Sequence, residues 1–169
     1  MTTSPSSSPI TVSLATESDR AVLEQLWTMF RHEMSAYSGV LPDAHGRFRQ
    51  ERLDNALERD DWRAYLIRLE STPIGLCIVR DLGSPEQVIS SFFLVKAARG
   101  SGYGRTAVRA VTAQHRGRWA VAFQDANTAA VAFWRTIAAD ADPTWTSEHV
   151  SVAGRPDLPA DSWIRFQVR

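Results

Sequence analysis

The chain has 169 residues, of which 44% are hydrophobic and 22% are charged, a composition typical of a soluble globular protein. Its 19 basic and 19 acidic residues cancel, which argues against nucleic acid or a membrane surface as a partner. No segment approaches the ~20 apolar residues that a membrane-spanning helix needs. The length allows one domain with a substantial core, so we expect a single domain.

The N-terminus and the single cysteine indicate where the domain begins and in which compartment the protein works. Residues 1–9 are rich in Ser, Thr and Pro and lack an apolar run, so we predict a disordered tail and no signal peptide. Residues 10–169 then form the domain. Cys77 lies in an apolar strand-like segment, and one thiol cannot form an internal disulfide, which favours a cytoplasmic location.

The first half of the chain contains an amphipathic helix and a run of strands. Apolar residues recur at spacings of three and four between Leu23 and Tyr37, after a capping box formed by Thr16 and Asp19. The predicted elements in chain order are a strand over 10–15, a helix that ends at 38–39, a helix over 47–58, and strands over 62–69, 74–79 and 88–95.

The second half alternates helices and strands. The predicted elements are a helix over 106–113 with Gly117 as its C-cap, a strand over 118–125, a helix that starts at Asn127 and breaks within 138–143, and strands over 149–153 and 163–168. The count is about seven strands and four helices. We therefore predict one layered domain, a mixed sheet with helices packed on it.

A glycine-rich loop stands between the strand over 88–95 and the helix over 106–113. Its residues 100–104 read Gly-Ser-Gly-Tyr-Gly, and Arg99 and Arg105 flank them. Glycine lets main-chain N–H groups approach a ligand closely, and a helix N-terminus behind such a loop favours phosphate. The pattern predicts a diphosphate site.

Three other interpretations of this loop compete with that prediction. The spelling Gly102-x-Gly104-x-x-Ala107 also fits a dinucleotide-binding fingerprint, but such a fold needs several more strands after it than this chain offers. A P-loop is excluded because no Gly-Lys-Ser/Thr follows. A glycine-rich turn that binds nothing stays open on the loop alone.

A second motif later in the chain favours one interpretation of the glycine loop. Arg99-x-x-Gly102-x-Gly104 resembles the pyrophosphate motif of the GNAT (general N-acetyltransferase) superfamily, and residues 127–134 resemble its later Asn-x-x-Ala-x-x-aromatic-aromatic helix. The resemblance covers residues 88–138 and weakens toward both ends. It implies an α+β single domain with a mixed, mostly antiparallel sheet of about seven strands and helices on both faces, in which two neighbouring strands splay apart to admit a pantetheine arm.

The resemblance also implies which residues bind acetyl-CoA or another acyl-CoA. The main chain of the glycine loop would hold the pyrophosphate, the end of the preceding strand would pair with pantetheine, Asn127 would bond its amides while also capping a helix, and two aromatic residues would line the thiol end. The implied cofactor-binding residues are Phe93, Leu94, Val95, Arg99, Gly100, Ser101, Gly102, Tyr103, Gly104, Arg105, Asn127, Phe133 and Trp134.

Catalytic groups are harder to find in this sequence. Many family members have Tyr where Trp134 stands, and an indole N–H cannot act as an acid near neutral pH, so the thiolate leaves unaided or another group protonates it. The strand over 88–95 has no carboxylate to act as a general base. The resemblance implies that the acceptor site borders the first helix, so we predict Glu33 and Tyr37, on the inner side of that helix, as catalytic residues, with Gln124 and Asp125 as further groups that could face the acceptor.

These observations lead to a predicted cytoplasmic enzyme that transfers an acyl group from a coenzyme A thioester to a small-molecule amine, with no metal. Two alternatives stay open: a phosphopantetheine thioester on an acyl carrier protein could be the donor, or the chain could be a CoA-binding sensor without turnover. A homodimer also stays open. The sequence identifies neither the acceptor nor the acyl chain.

Overall fold

The sheet and its helices follow the predicted order along the chain. A computed structural model describes residues 9–169, and the predicted tail at 1–9 lies almost wholly outside the described residues. The strands are β1 (Ile10–Leu14), β2 (Arg63–Leu69), β3 (Thr72–Arg80), β4 (Glu86–Leu94), β5 (Gly117–Phe123), β6 (Thr146–Val150) and β7 (Asp161–Val168), and the helices are α1 (Arg20–Ser38), α2 (Glu51–Glu58), α3 (Tyr103–Thr112) and α4 (Thr128–Ala141).

All seven strands join one mixed sheet in the order β1-β2-β3-β4-β5-β7-β6. The pair β4–β5 is parallel and the other five pairs are antiparallel. The α+β class, the strand count and the mostly antiparallel sheet are therefore confirmed.

Helices cover both faces of this sheet. Successive side chains of a strand point to opposite faces, so neighbours in β2 divide between two cores. Leu66 packs with α1 and α2, whereas Tyr65 packs with α3 and α4. This arrangement places α1 on one side of the sheet and the glycine loop with its helix α3 on the other.

The parallel pair separates halfway along β4. The last paired residues are Ile89 and Val121, although both strands continue beyond them. On its other edge β4 shifts register against β3, and Ser90 is the extra residue between the partners of Ile78 and Val79. A bulge bends its strand, so the bulge at Ser90 turns β4 away from β5 at the point where the two part.

Several helix boundaries differ from the prediction for local reasons. Helix α2 begins at Glu51 rather than at residue 47, because Asp43 accepts hydrogen bonds from the N–H groups of His45 and Arg47 and holds that segment in a loop. Helix α3 begins at Tyr103, three residues early, because Gly102 adopts the left-handed conformation and caps it.

Gly117 is not a C-cap, since α3 ends at Thr112 and Gly117 opens β5 with φ +130°. Helix α4 continues to Ala141 through most of the predicted breaker at 138–143. Its Ala-rich end favours helix, and only the approach of Pro143 stops it.

The carboxylate of Asp142 ties the end of α4 to β7. One oxygen accepts from the Thr144 hydroxyl at 2.6 Å and the Thr144 N–H at 2.8 Å, and the other accepts from the Gln167 N–H at 3.0 Å. These bonds, those from Thr144 first, hold the pKa of Asp142 below its ordinary value of 3.8. A depressed pKa in the folded state means that the unfolded chain binds the proton first as the pH falls.

We expect Asp142→Asn to lower the free energy of unfolding at pH 7 and to flatten its decline as the pH falls below about 5, because the lost contribution is the one that protonation removes. Urea unfolding of both proteins at a series of pH values measures this. Asp60→Asn is the matched control, since the Asp60 carboxylate makes no hydrogen bond within residues 9–169. Parallel pH curves for the wild type and Asp142→Asn would contradict the assignment.

Candidate active site

The glycine loop leaves a row of main-chain donors free. Gly100 and Gly102 have φ +82° and +80°, which residues with a Cβ rarely adopt, and the first helical bond of α3 runs from the Thr106 N–H to the Gly102 carbonyl. Within residues 9–169, none of the N–H groups of residues 100–105 donates to a protein acceptor. Free amides at a helix N-terminus are suited to bind phosphate oxygens.

Both arginines that flank the loop are ion-paired. The Arg99 guanidinium meets the Glu33 carboxylate through two bonds of 2.9 and 2.7 Å, and it also donates to the Leu94 carbonyl at 2.9 and 2.7 Å. Arg105 pairs with Asp140 of α4 at 2.5 Å. The two cations therefore fix the loop to α1, to the end of β4 and to α4.

Aromatic rings fill the angle between β4 and α4. Phe133 stacks on Phe92 with 5.4 Å between ring centroids, and it meets Trp134 edge-on at 4.8 Å. A Cβ on Gly104 would lie 3.0 Å from the Phe133 ring, so this glycine lets α3 approach α4 closely. Sequence reasoning did not select Phe92, although it lies beside the predicted Phe93.

A cleft of about 500 Å³, here called the loop-side cleft, runs from the glycine loop along the end of β4 to Asn127 and α4. Its lining includes most of the predicted site residues: Glu33, Phe93, Leu94, Arg99, Gly100, Gly102, Gly104, Arg105, Asn127, Phe133 and Trp134. Tyr37, Val95, Ser101 and Tyr103 do not line it.

A second cavity of about 370 Å³, here called the bulge-side cavity, lies across the gap beside Ser90. Tyr37 and Gln124 line it, together with charged residues that sequence reasoning did not select. The two cavities share six lining residues: Phe30, Met34, Phe92, Asn127, Ala130 and Trp134. Ligands in the two cavities would therefore meet at Phe92, Asn127 and Trp134.

The main chain of β4 faces this meeting point at alternate residues. Val95 donates its N–H to Ile74 of β3 at 2.8 Å, and its carbonyl accepts from Ala98. Because bonding direction alternates along an antiparallel strand, Phe92 and Leu94 direct their main-chain groups into the gap, whereas Phe93 directs its groups to β3. Of the three predicted strand residues, only Leu94 thus turns main chain toward the gap, and the group it offers is its N–H, because its carbonyl accepts from Arg99.

Asn127 caps the N-terminus of α4 with its side-chain oxygen, and its side-chain NH₂ group is a further hydrogen-bond donor. Its Oδ1 accepts from the Ala130 N–H at 3.1 Å, which confirms the predicted cap. Its side-chain NH₂ group forms no hydrogen bond with any part of the chain that the structure describes. Since Asn127 lines both cavities, that group can donate to a ligand at their junction.

The acid–base groups divide between the two cavities. In the loop-side cleft, both carboxylate oxygens of Glu33 accept hydrogen bonds from Arg99. Tyr37 lines the bulge-side cavity and is 37% exposed. Asp161, at the start of β7, lines the same cavity, and its carboxylate makes no hydrogen bond or ion pair within residues 9–169. Burial raises the pKa of Asp161, and Arg52 opposes that shift.

Asp125 is engaged at one end of the sheet rather than in either cavity. Its oxygens contact Ser162 at 2.5 Å and His149 Nε2 at 2.8 Å, and that same nitrogen also lies 3.1 Å from the Ser162 hydroxyl. A proton relay through histidine needs one ring nitrogen for each partner. This cluster therefore fixes β5 to β6 and β7 and does not form a nucleophilic triad.

Comparison with known proteins identifies the family. The family model described as the acetyltransferase (GNAT) family matches residues 23–138. The chain belongs to the GNAT acetyltransferase family. No match is found among the curated proteins.

Solved structures share the fold of this GNAT domain at low sequence identity. An acetyltransferase from Thermus thermophilus superposes with a TM-score of 0.67 at 19% identity, over 94% of this chain and 97% of that one. RimL, a ribosomal L7/L12 α-N-protein acetyltransferase in complex with coenzyme A, gives 0.68 at 18%, over 97% of both chains. An aminoglycoside acetyltransferase from a soil metagenome gives 0.60 at 17%, over 79% and 90%.

Within residues 9–169, no helix has both the length and the apolar character that crossing a membrane requires. In the same residues, no three His, Cys, Asp or Glu side chains are grouped as metal ligands.

The contact between Gly104 and Phe133 generates a prediction. Gly104→Ala places a Cβ 3.0 Å from the ring, a contact that outweighs the gain in helix propensity, so we expect it to destabilise the protein by about 1 kcal/mol. In a Phe133→Leu background the same change should cost much less, because the ring that it meets is gone. Urea unfolding of the four proteins in this double-mutant cycle measures the coupling, and equal costs in both backgrounds would contradict it.

Proposed function

We propose that this chain is an acyl-CoA-dependent N-acyltransferase that moves an acetyl or other acyl group from a coenzyme A thioester to the amine of a small molecule by direct attack. Membership of the GNAT family supports an acetyltransferase. The observation that carries the proposal is the row of free amides at 100–105 beside a gap where two cavities meet.

The donor would lie in the loop-side cleft. The free N–H groups of the glycine loop would bind the pyrophosphate, and the coenzyme A bound to the similar RimL structure supports this. The main chain of Phe92, the N–H of Leu94 and the NH₂ group of Asn127 would bind the pantetheine arm, as an added strand binds a sheet edge. The aromatic residues Phe92, Phe133 and Trp134 would exclude water from the thioester.

A carrier-protein donor is less well supported, because phosphopantetheine without its nucleotide would leave most of the loop amides unused. A sensor needs one ligand cavity, whereas this fold opens a second cavity onto the first. The cytoplasmic location and the homodimer stay predictions.

Acyl transfer forms a bond from nitrogen to the acyl carbon and breaks the bond from that carbon to sulfur. The amine must lose a proton, and its ordinary pKa is about 10, so a group on the acceptor side has to take it. We propose Asp161 for this task, since its carboxylate is unpaired in the bulge-side cavity among the described residues and burial raises its pKa. Glu33 would then hold Arg99 in place, and Tyr37 would contact the acceptor.

The sulfur leaves as a thiolate in this proposal. Trp134 lines the junction, but its indole N–H cannot supply a proton near neutral pH. A thiol has an ordinary pKa of about 8.5, so its thiolate is a tolerable leaving group and can take a proton from water.

Ser101→Asp tests the pyrophosphate site. A carboxylate among the free amides would repel the diphosphate, so we expect acetyl-CoA to bind at least about tenfold more weakly by calorimetry. Gln114→Glu adds the same charge at an exposed position just past the opposite end of α3 and should bind like the wild type. S-acetyl phosphopantetheine should bind the wild type much more weakly than acetyl-CoA. If acetyl-CoA fails to bind the wild type at millimolar concentration, the proposed function is wrong.

Three single variants separate the candidate bases. We expect Asp161→Asn to lower kcat by a factor of about 10² or more and to remove the acidic limb of the pH profile. Glu33→Gln should mainly raise the KM for acetyl-CoA, because Arg99 loses its partner, and Tyr37→Phe should raise the KM for the amine. Loss of the acidic limb in Glu33→Gln or Tyr37→Phe instead would transfer the role of base to that residue.

A further inference from the structure

The bulge-side cavity is lined by more positively charged side chains than negatively charged ones. Three arginines line it, Arg31 of α1, Arg52 of α2 and Arg80 of β3, against the single carboxylate of Asp161. Arg80 is paired with Asp81 next to it in sequence. Arg31 and Arg52 have no carboxylate within ion-pair distance among residues 9–169, so the cavity carries an excess of positive charge although the whole chain has none.

These cations lie close enough to oppose one another. Surrounding protein lowers the pKa of Arg52, and the charges of Arg31 and Arg80 lower it further. Among residues 9–169, Arg52 forms one side-chain hydrogen bond, from its Nη1 to the Ser90 carbonyl at 3.1 Å. Fixing like charges around one cavity is unfavourable until an anion enters it.

Two buried polar atoms in the same lining lack partners. Arg31 Nε and Ser91 Oγ are inaccessible to solvent and form no hydrogen bond with the described part of the chain. Ser91 is only 4% exposed, and it follows the bulge residue Ser90. Buried polar atoms almost always have hydrogen-bond partners. Two buried atoms without partners in the lining of one cavity therefore indicate a ligand that supplies hydrogen-bond acceptors.

We propose that the bulge-side cavity recognises an amine that also carries an oxyanion, a carboxylate or a phosphate. The oxyanion binds the guanidinium groups of Arg31 and Arg52, while the ammonium end lies toward Asp161 and the junction with the loop-side cleft. Guanidinium groups bind both kinds of oxyanion strongly and with defined geometry. This inference rests on the proposed function, because it names the acceptor class for that reaction.

Matched pairs of amines test it, with thiol release from acetyl-CoA as the readout. The pairs are β-alanine with β-alaninamide, 4-(aminomethyl)benzoate with 4-(aminomethyl)benzamide, and phosphoethanolamine with ethanolamine. We expect the anionic member of at least one pair to have a kcat/KM about tenfold or more above its neutral partner, the worth of one charge-assisted hydrogen bond. The first two pairs report a carboxylate and the third reports a phosphate.

Arginine variants locate the effect. In Arg52→Gln we expect the ratio of the anionic to the neutral kcat/KM to fall by about tenfold. The ratio is the readout because the loss of Arg52 also removes a charge that opposes the raised pKa of Asp161, an effect that both amines share. Arg59→Gln removes the same charge just past the end of α2, outside the cavity lining, and should keep the advantage. Arg31→Gln is the second variant if Arg52→Gln unfolds, as judged by circular dichroism.

The outcomes separate this inference from the proposed function. If neutral amines match or exceed their anionic partners, or if the advantage survives both Arg52→Gln and Arg31→Gln, the inference is wrong while N-acyl transfer stands. If acetyl-CoA binds but no amine reacts, calorimetry of the three anionic amines with the acetyl-CoA complex decides: absence of binding overturns the inference, and binding lost in Arg52→Gln supports it. Failure of acetyl-CoA to bind overturns the proposed function instead.

Discussion

The separation of β4 from β5 is the constraint on which the rest of the structure depends. Pairing stops after Ile89 and Val121, and the bulge at Ser90 turns β4 away at that point. In the middle of a sheet, a strand edge without a partner is normally unfavourable because its N–H and C=O groups lose their bonds. Here the opened edge borders two cavities that meet, so a ligand with amide groups can complete the sheet.

Neighbouring features keep this gap open and give it two distinct ends. On one side the left-handed glycines at 100 and 102 carry the chain into α3 with its first amides free, and Gly104 lets α3 pack against Phe133. On the other side α1 and α2 bring side chains over the far half of β4. The reaction geometry follows from this division, since one end offers main-chain donors and the other offers charged side chains.

Sequence reasoning predicted the parts that depend on local pattern. The glycine loop, the cap at Asn127 and the strand order along the chain are encoded by short segments, and the family motif fixed how they combine. It did not find Asp161 or Arg52, which are 109 positions apart and outside any motif. They share a cavity only because α2 packs on β2 and β3, from where Arg52 reaches the Ser90 carbonyl of β4, while β7 pairs beside β5. The ion pair between Glu33 and Arg99 could not be predicted either, because the two residues are 66 positions apart and only the fold brings them together.

The distribution of ion pairs suggests how the two ends of the gap divide their work. At the loop end Arg99 and Arg105 are already neutralised by Glu33 and Asp140, so an anion there would be bound mainly by backbone amides, whose position does not depend on a flexible side chain. At the bulge end Arg31 and Arg52 keep their charge. A main-chain site suits a donor that never changes, because substitution leaves backbone amides in place. A side-chain site suits the acceptor, because replacing one arginine changes which amine fits without disturbing the donor.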